Sequence, residues 1–416
     1  MSNWVILEPA QLLNYLITFY MQDAYFKKTL DFKQDNQPLQ FRVSQELFSS
    51  YEVDAGTRFL LRTLSQLPMT NVHRVLDVGC GYGPLGLTLA KQDNHRTVHL
   101  VDRDALAVDF SQQNAELNSL HNVKIYGSLG YDAIKERNFD LIVSNVPGKA
   151  GEAVIAHLIR GARPFLAQNG HVAMVIVKPL MPLVEKTLEE MPDAAVTLKQ
   201  STANHAVFHY HFTAPADEAP QPAFASGIFW RDTMEVNYKK LKFGMKTAVG
   251  LPEFDTLSYG TRLLFNQLNA SDPVEHLLVV NPGQGHTAVA AWLSMNPQQI
   301  TLVDRDLLAL QTTAYNLQQN GCPAERIHSH HQIGLPPLAA APNLVLHPLR
   351  DSEGPRLAVA RLNLLATQMG PRGTILIAAN SHLISQVAQQ AKKSQHLKPQ
   401  KRRKRKGFST LSFSVS

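Results

Sequence analysis

The apolar runs along this chain are short, and each ends in a polar or glycine-rich turn. Val75 to Val78 enters the turn Gly79-Cys-Gly-Tyr-Gly83, and Leu87, Leu89 and Ala90 carry the chain out of it. That order predicts a buried strand, a tight loop and the start of a helix. The glycines let the backbone turn sharply and let a ligand come close, because no Cβ intervenes. A second apolar run, Val98 to Val101, follows about twenty residues later and ends at Asp102. An acid at that place in a strand–helix–strand unit suits a ribose diol. Strand-like runs at Val123–Tyr126 and Leu141–Ser144 continue the series.

The pattern then starts again with an offset of about two hundred residues. Val280-Asn-Pro-Gly-Gln-Gly285 falls where Leu76-Asp-Val-Gly-Cys-Gly81 fell. Leu302-Val-Asp-Arg-Asp306 matches Leu100-Val-Asp-Arg-Asp104, and Asn316-Leu-Gln-Gln-Asn320 matches Asn114-Ala-Glu-Leu-Asn118. Upstream, Asp54-Ala-Gly-Thr-Arg58 is echoed by Ser258-Tyr-Gly-Thr-Arg262. Agreement across several elements in the same order predicts a duplicated α/β architecture, each half a doubly wound sheet. A Pro/Ala-rich stretch from Ala214 reads as the linker, so the expected division is 1–213, 214–226 and 227–416.

A glycine turn after a first strand also occurs in dinucleotide-binding proteins. Here Asp77 precedes it, giving the form D-x-G-x-G-x-G. That form resembles motif I of class I S-adenosylmethionine (SAM)-dependent methyltransferases. The resemblance implies that Asp77, Gly79 and Gly81 hold the cofactor and that Asp102 binds its ribose. Before motif I stands Phe48-Ser-Ser-Tyr-Glu-Val-Asp54-Ala-Gly-Thr57. Together with the tandem arrangement, this segment resembles the ribosomal RNA guanine-N2 methyltransferases of the RsmC and RlmG type. In that family the segment helps close the cofactor pocket, a role that would fall to Asp54 and Thr57. The implied fold is two tandem Rossmann-like class I methyltransferase domains. In that family the C-terminal copy is the active one, whereas here the N-terminal copy is the better preserved.

Leu141-Ile-Val-Ser-Asn145-Val-Pro147-Gly-Lys149 resembles motif IV, N-P-P-[FY], of methyltransferases that modify exocyclic or amide nitrogens. In that motif an Asn side-chain oxygen accepts from the amine and aims its lone pair at the methyl group. The motif aromatic stacks on the base, worth roughly 1–3 kcal/mol. Asn145 and Pro147 remain as the candidate catalytic pair, but Gly148 replaces the aromatic. Stacking would need another ring, such as Tyr51, Tyr82 or Tyr131. Ser128 stands where the family has an Asp or Asn against the adenine amine. The second half reads as degenerate: Asn281 falls at the motif I acid, Leu346-His-Pro-Leu349 replaces motif IV, and Asp304 reads as an unoccupied strand-end acid.

Composition narrows the partners. The net charge is +6 and the pI about 9.1. Lys401, Arg402, Arg403, Lys404, Arg405 and Lys406 carry six positive charges, so the remainder is close to neutral. The repeat places this run between two strands, because Phe408 to Phe413 matches Phe208 to Phe212. It is therefore expected as the loop of a terminal β-hairpin and a contact for an RNA backbone. Leu12 to Phe26 is apolar but carries Asn14, Gln22 and Asp23, without a basic leader, so neither a signal peptide nor a membrane span is expected. Cys80 and Cys322 imply no disulfide framework, and Cys80 reads as a small loop residue. His328-Ser-His-His331 lacks ligand partners at metal spacing, and methyl transfer from a sulfonium needs no metal.

The sequence thus predicts a cytoplasmic SAM-dependent methyltransferase acting on an exocyclic amine of a base in RNA, plausibly ribosomal. Two other classes stay open: a methyltransferase of a protein amide or small molecule, and a non-catalytic RNA-binding protein of the same fold.

Overall fold

The structure, a computed structural model, describes residues 24–214, 221–268, 273–370 and 373–415. Most of the apolar segment from Leu12 lies outside them, as does the Pro/Ala-rich stretch 215–220. The chain forms two compact units, Phe26–Trp230 and Arg231–Ser416, and Tyr25 belongs with the latter.

The first unit opens with a hairpin, β1 (Phe26–Gln34) and β2 (Gln37–Ser44), followed by helix α1 (Ala55–Leu64). The core then alternates: β3 (Arg74–Val78), α2 (Pro84–Gln92), β4 (Thr97–Asp102), α3 (Ala105–Leu117), β5 (Val123–Gly127), β6 (Phe139–Asn145) and α4 (Glu152–Arg160). It closes with β7 (Leu166–Val177), α5 (Met181–Glu189), β8 (Ala194–Ser201) and β9 (His205–Phe212). The seven-stranded sheet has the order β5-β4-β3-β6-β7-β9-β8, with β9 antiparallel to both neighbours. The central strand β3 is buried from Val75 to Val78 and apolar there except for Asp77; Val75 and Leu76 are fully buried. Gly83, in the left-handed region at φ 89°, starts α2, and Pro84 follows at a position that needs no N–H.

The second unit repeats this plan. It runs through β10 (Trp230–Tyr238), β11 (Leu241–Ala248), α6 (Tyr259–Phe265), β12 (His276–Val280), α7 (His286–Met295), β13 (Gln299–Asp304) and α8 (Leu307–Gln319). It continues through β14 (Ile327–His331), β15 (Leu344–Pro348), α9 (Pro355–Gln368), β16 (Thr374–Asn380), α10 (Ser381–Ala391), β17 (Leu397–Arg405) and β18 (Phe408–Val415). Its sheet order, β14-β13-β12-β15-β16-β18-β17, is that of the first sheet element for element. The duplicated, doubly wound α/β fold is therefore present in both halves.

Two details refine the sequence alignment. By strand register, Val280 pairs with Val303 as Val78 pairs with Val101, so the second loop is offset by two residues from the glycine match. Asn281 N–H donates to Val303 O, the bond that Gly79 makes to Val101. Asn281 therefore occupies the Gly79 position, and the counterpart of Asp77 is the buried Val279. An Asn tolerates the left-handed φ of 56° there, which explains how the glycine could be lost. The basic run is also not a loop. Lys401 to Arg405 lie on β17, the edge strand, and the hairpin turns at Lys406 and Gly407, both at positive φ. That two-residue turn suits the strand twist, and a charged edge resists pairing with other sheets.

The matched Asn pairs explain the hairpins. Asn114 accepts from Arg42 N–H and donates to Arg42 O, while Asn118 does the same with Gln40. Asn316 bonds Lys246 in both senses, and Asn320 donates to Gly244 O. Each pair clamps a hairpin to a helix, α3 in the first unit and α8 in the second.

Candidate active site

The sequence-predicted residues of the first unit gather at the carboxyl ends of β3, β4 and β6, where ligands of open α/β sheets bind. The glycine loop is fixed from below. Gly79 and Cys80 N–H donate to Val101 O at 2.8 and 3.0 Å. Gly81 N–H donates to Asp102 Oδ2 at 3.0 Å, and Asp102 Oδ1 accepts from Asp104 N–H at 2.9 Å. Gly79 and Gly81 have φ of 78° and 59°, and a Cβ on either would meet nothing within 4 Å. The loop thus has open space above it, as a close-lying cofactor requires. Asp102 keeps acceptor capacity for two hydroxyls, since each oxygen has spent one lone pair. Burial, opposed by those two N–H bonds, pushes its carboxyl up to about 6.

Asp77 lies beneath this loop. It is 1% exposed, and its Oδ2 accepts from Gly86 N–H in the first turn of α2 at 2.8 Å. Burial pushes it up to about 7, against the pull of the Gly86 bond. A Cβ at Gly86 would come within 2.7 Å of Leu100, so only glycine lets helix and acid approach this closely. Ser128 is also turned inward: it is buried, donates to Gly130 O at 2.8 Å and accepts from Ala133 N–H at 3.1 Å. Its N–H donates to Asp102 O, tying the loop after β5 to the end of β4. Cys80 is buried against Ser111, and burial raises its thiol well above the ordinary range.

A second polar group forms around Asn145 at the end of β6. Its Nδ2 donates to Asp54 Oδ2 at 2.9 Å and to Thr57 Oγ1 at 3.0 Å. The same Asp54 oxygen caps α1, accepting from Gly56 and Thr57 N–H. A carboxylate only accepts, so the amide must turn its NH2 to Asp54, and both amide hydrogens are committed. Oδ1 is then the acceptor that Asn145 offers. Val146 N–H is held by Val175 O, and Pro147 O accepts from Ala150 N–H, which sets the turn. Pro147, Gly148 and Lys149 are exposed. A Cβ at Gly148 would touch Val177, itself 38% exposed. Of the three rings considered for stacking, Tyr82 and Tyr131 are buried and only Tyr51 is open, at 74%.

The corresponding place in the second unit is filled. Pro348 stands at the Asn145 position, and Arg350, at the Pro147 position, bonds the carboxylate of Asp304. Asn281 Nδ2 donates to Pro348 O at 3.1 Å. Behind them Glu353 and Arg361, both buried, pair at 2.6 Å, and Arg361 reaches Tyr25 Oη at 3.2 Å. The cavity left among Tyr25, Asn281, Asp304, Arg350 and Arg361 is about 10 Å³, room for about one water. Ligand pockets usually take roughly 300–1,000 Å³. Neither Arg350 nor the Glu353–Arg361 pair carries a signal in the sequence that marks it.

Similarity to known proteins agrees with this geometry. The family model "Methyltransferase small domain" matches residues 38–208. The uncharacterized protein YbxB of Bacillus subtilis (strain 168) is 36% identical over 169 residues, which are 40% of this chain and 83% of that protein. The chain belongs to the methyltransferase small-domain family. Its members include SAM-dependent enzymes of the RsmC and RlmG type, as Asp77, Asp102 and the tandem repeat implied. Ribosomal RNA small subunit methyltransferase C of Aliivibrio fischeri (strain ATCC 700601 / ES114) is 31% identical over 179 residues, 42% of this chain and 50% of that protein. The chain thus spans about half the length of that relative. A solved structure, the T. thermophilus 16S rRNA N2 methyltransferase RsmC in complex with AdoMet and guanosine, superimposes with a TM-score of 0.63. It covers 95% of this chain and 100% of that one at 14% identity, so it shows the shared tandem fold. Among the described residues, no helix is long and apolar enough to cross a membrane and no cluster of three or more His, Cys, Asp or Glu could hold a metal.

Proposed function

We propose that the first unit is a SAM-dependent methyltransferase acting on an exocyclic amine of a base in RNA, ribosomal RNA by its resemblance, in the cytoplasm. SAM supplies a methyl group already activated on a sulfonium. Gly79 and Gly81 leave room for it, Asp102 accepts from the ribose hydroxyls, and Asp77 acts through the backbone that it fixes. Thr57 and Asp54 hold the acceptor site shut behind Asn145. Asn145 Oδ1 accepts one amine hydrogen and so directs the nitrogen lone pair along one line. No strong base is needed: once methylated, the exocyclic nitrogen is acidic enough to release its proton to water.

The single observation that carries this reading is the commitment of both Asn145 amide hydrogens to Asp54 and Thr57. The second unit, with its cradle filled and its edge strand basic, serves to dock RNA through Lys401 to Lys406. The test is transfer of labelled methyl from SAM to total bacterial RNA. Incorporation that ribonuclease removes and that Asn145→Ala abolishes supports the reading. Gly148 in place of a ring favours a second reading, a protein amide as acceptor; ribonuclease-resistant label in protein would select it.

A further inference from the structure

We propose that Phe48 and Tyr51 form the platform on which the acceptor base stacks, replacing the ring that Gly148 no longer provides. This rests on the reading of the first unit as an RNA amine methyltransferase.

Among the described residues, the two most exposed large apolar side chains are Tyr51 at 74% and Phe48 at 72%. Both lie in the short segment that leads into α1, where an open ring offers a flat apolar face to a partner. The segment touches both halves of the site. Tyr82, in the glycine loop, reaches Ser49 O through its hydroxyl at 3.4 Å. Asp54, three residues after Tyr51, accepts from Asn145 at 2.9 Å. Three residues span at most about 10 Å, which bounds the distance from Tyr51 to the Asp54 that holds Asn145.

The surrounding charge fits a nucleotide. Lys27 Nζ lies 3.2 Å from the Tyr51 ring centre and bonds Ser50 Oγ at 3.1 Å, and Lys28 Nζ is 5.4 Å from the same ring. With 74% of the residue exposed, Tyr51 keeps ring surface open to a base beside these cations. The lysines then lie near that nucleotide's phosphate. Interleaved rings and cations of this kind hold unpaired nucleotides, whereas an apolar peptide would gain nothing from the two lysines.

The test compares Phe48→Ala, Tyr51→Ala and Tyr51→Trp with the full-length protein, and all three changes fall on exposed side chains. Stacking of one base predicts that each alanine raises KM for RNA about five- to 150-fold, with SAM affinity unchanged and activity rescued in Tyr51→Trp. Short single-stranded RNA of mixed sequence should quench the fluorescence of Trp at position 51. Unchanged KM in both alanine variants, or a loss of SAM affinity instead, would overturn the platform while the methyltransferase reading stood. If the unaltered protein methylates no RNA, the proposed function fails by itself. The quenching then decides the platform alone: its presence supports stacking, its absence refutes it.

Discussion

Asn145 Nδ2 lies 2.9 Å from Asp54 Oδ2, joining the end of β6 to the start of α1 across 91 residues of chain. One carboxylate therefore does two jobs. It caps a helix that sits on the sheet, and it fixes the orientation of the Asn145 amide, leaving Oδ1 as that amide's acceptor. Helix position and amide orientation are coupled, so neither can relax alone.

Asn145→Ala should lower kcat by about 100-fold or more, as expected when a positioned acceptor is removed. SAM affinity should hold within about twofold. Asp54→Ala should lose about 1 kcal/mol of stability with its cap, and much of the same kcat. The pair should be strongly non-additive when combined, because each variant removes one interaction. Steady-state rates and a double-mutant cycle check this, and additive losses would mean that the two residues act separately.

Cofactor affinity should depend on pH in one direction. Burial holds Asp102 up to about 6 and Asp77 up to about 7. Ribose hydroxyls and a nearby sulfonium favour the ionised carboxylates. Affinity should therefore weaken as pH falls from 8 toward 5.5, and Asp102→Asn should weaken binding and remove the step near 6. For the protein alone the sign is opposite. Both groups titrate above their unfolded value of about 3.9, so their favourable contribution to stability is full below that and is lost as pH rises through 6 and 7. Titrations at several pH values and thermal unfolding test the two signs together.

The filled cradle of the second unit should depend on its ion pair. Burial would raise Glu353, but Arg361, His347 and Arg350 outweigh it and hold its carboxyl down to about 2. Arg361→Met leaves that charge buried and unpaired, which should cost about 3–5 kcal/mol. Denaturant unfolding of the second unit reads this. In the unaltered protein the Glu353 contribution should be present above about pH 4.5 and lost as pH falls toward 2.

RNA binding should carry a steep salt dependence. Replacing Lys401 to Lys406 with Ser should flatten the slope of log affinity against log salt by about 0.7 for each phosphate that is no longer neutralised. Arg402 will contribute less than its neighbours, because its guanidinium already bonds Ser381, Ser385 and Ser409. An unchanged slope would remove the β17 edge from the docking surface.

Much of this is legible in the chain. Glycines at 79, 81 and 83, the acids at 77 and 102 and the long repeat carry backbone requirements that few other residues meet, so they point to the duplicated fold. The pairing of Asp54 and Thr57 with Asn145 is not readable, because spacing along the chain does not say which helix end meets which strand end. Turn geometry hides the two-residue slip at Asn281, since the second loop keeps two glycines but starts them later. Asn114 and Asn118 look like mere repeat markers in sequence. Their clamp on the hairpin shows only in three dimensions, though the matching Asn316 and Asn320 carry the signal. Ser128 falls by position where an adenine contact is expected; its hydroxyl instead closes the loop after β5 through Gly130 and Ala133.

Arg350 on Asp304 closes the corresponding place in the second unit, so SAM should bind each chain once, in the first unit. Isothermal titration of the whole chain with SAM reads that stoichiometry. One site per chain is expected, greatly weakened in Asp102→Asn and unaffected by Asp304→Asn. Two sites per chain, or a single site that survives Asp102→Asn and is lost in Asp304→Asn, would contradict it.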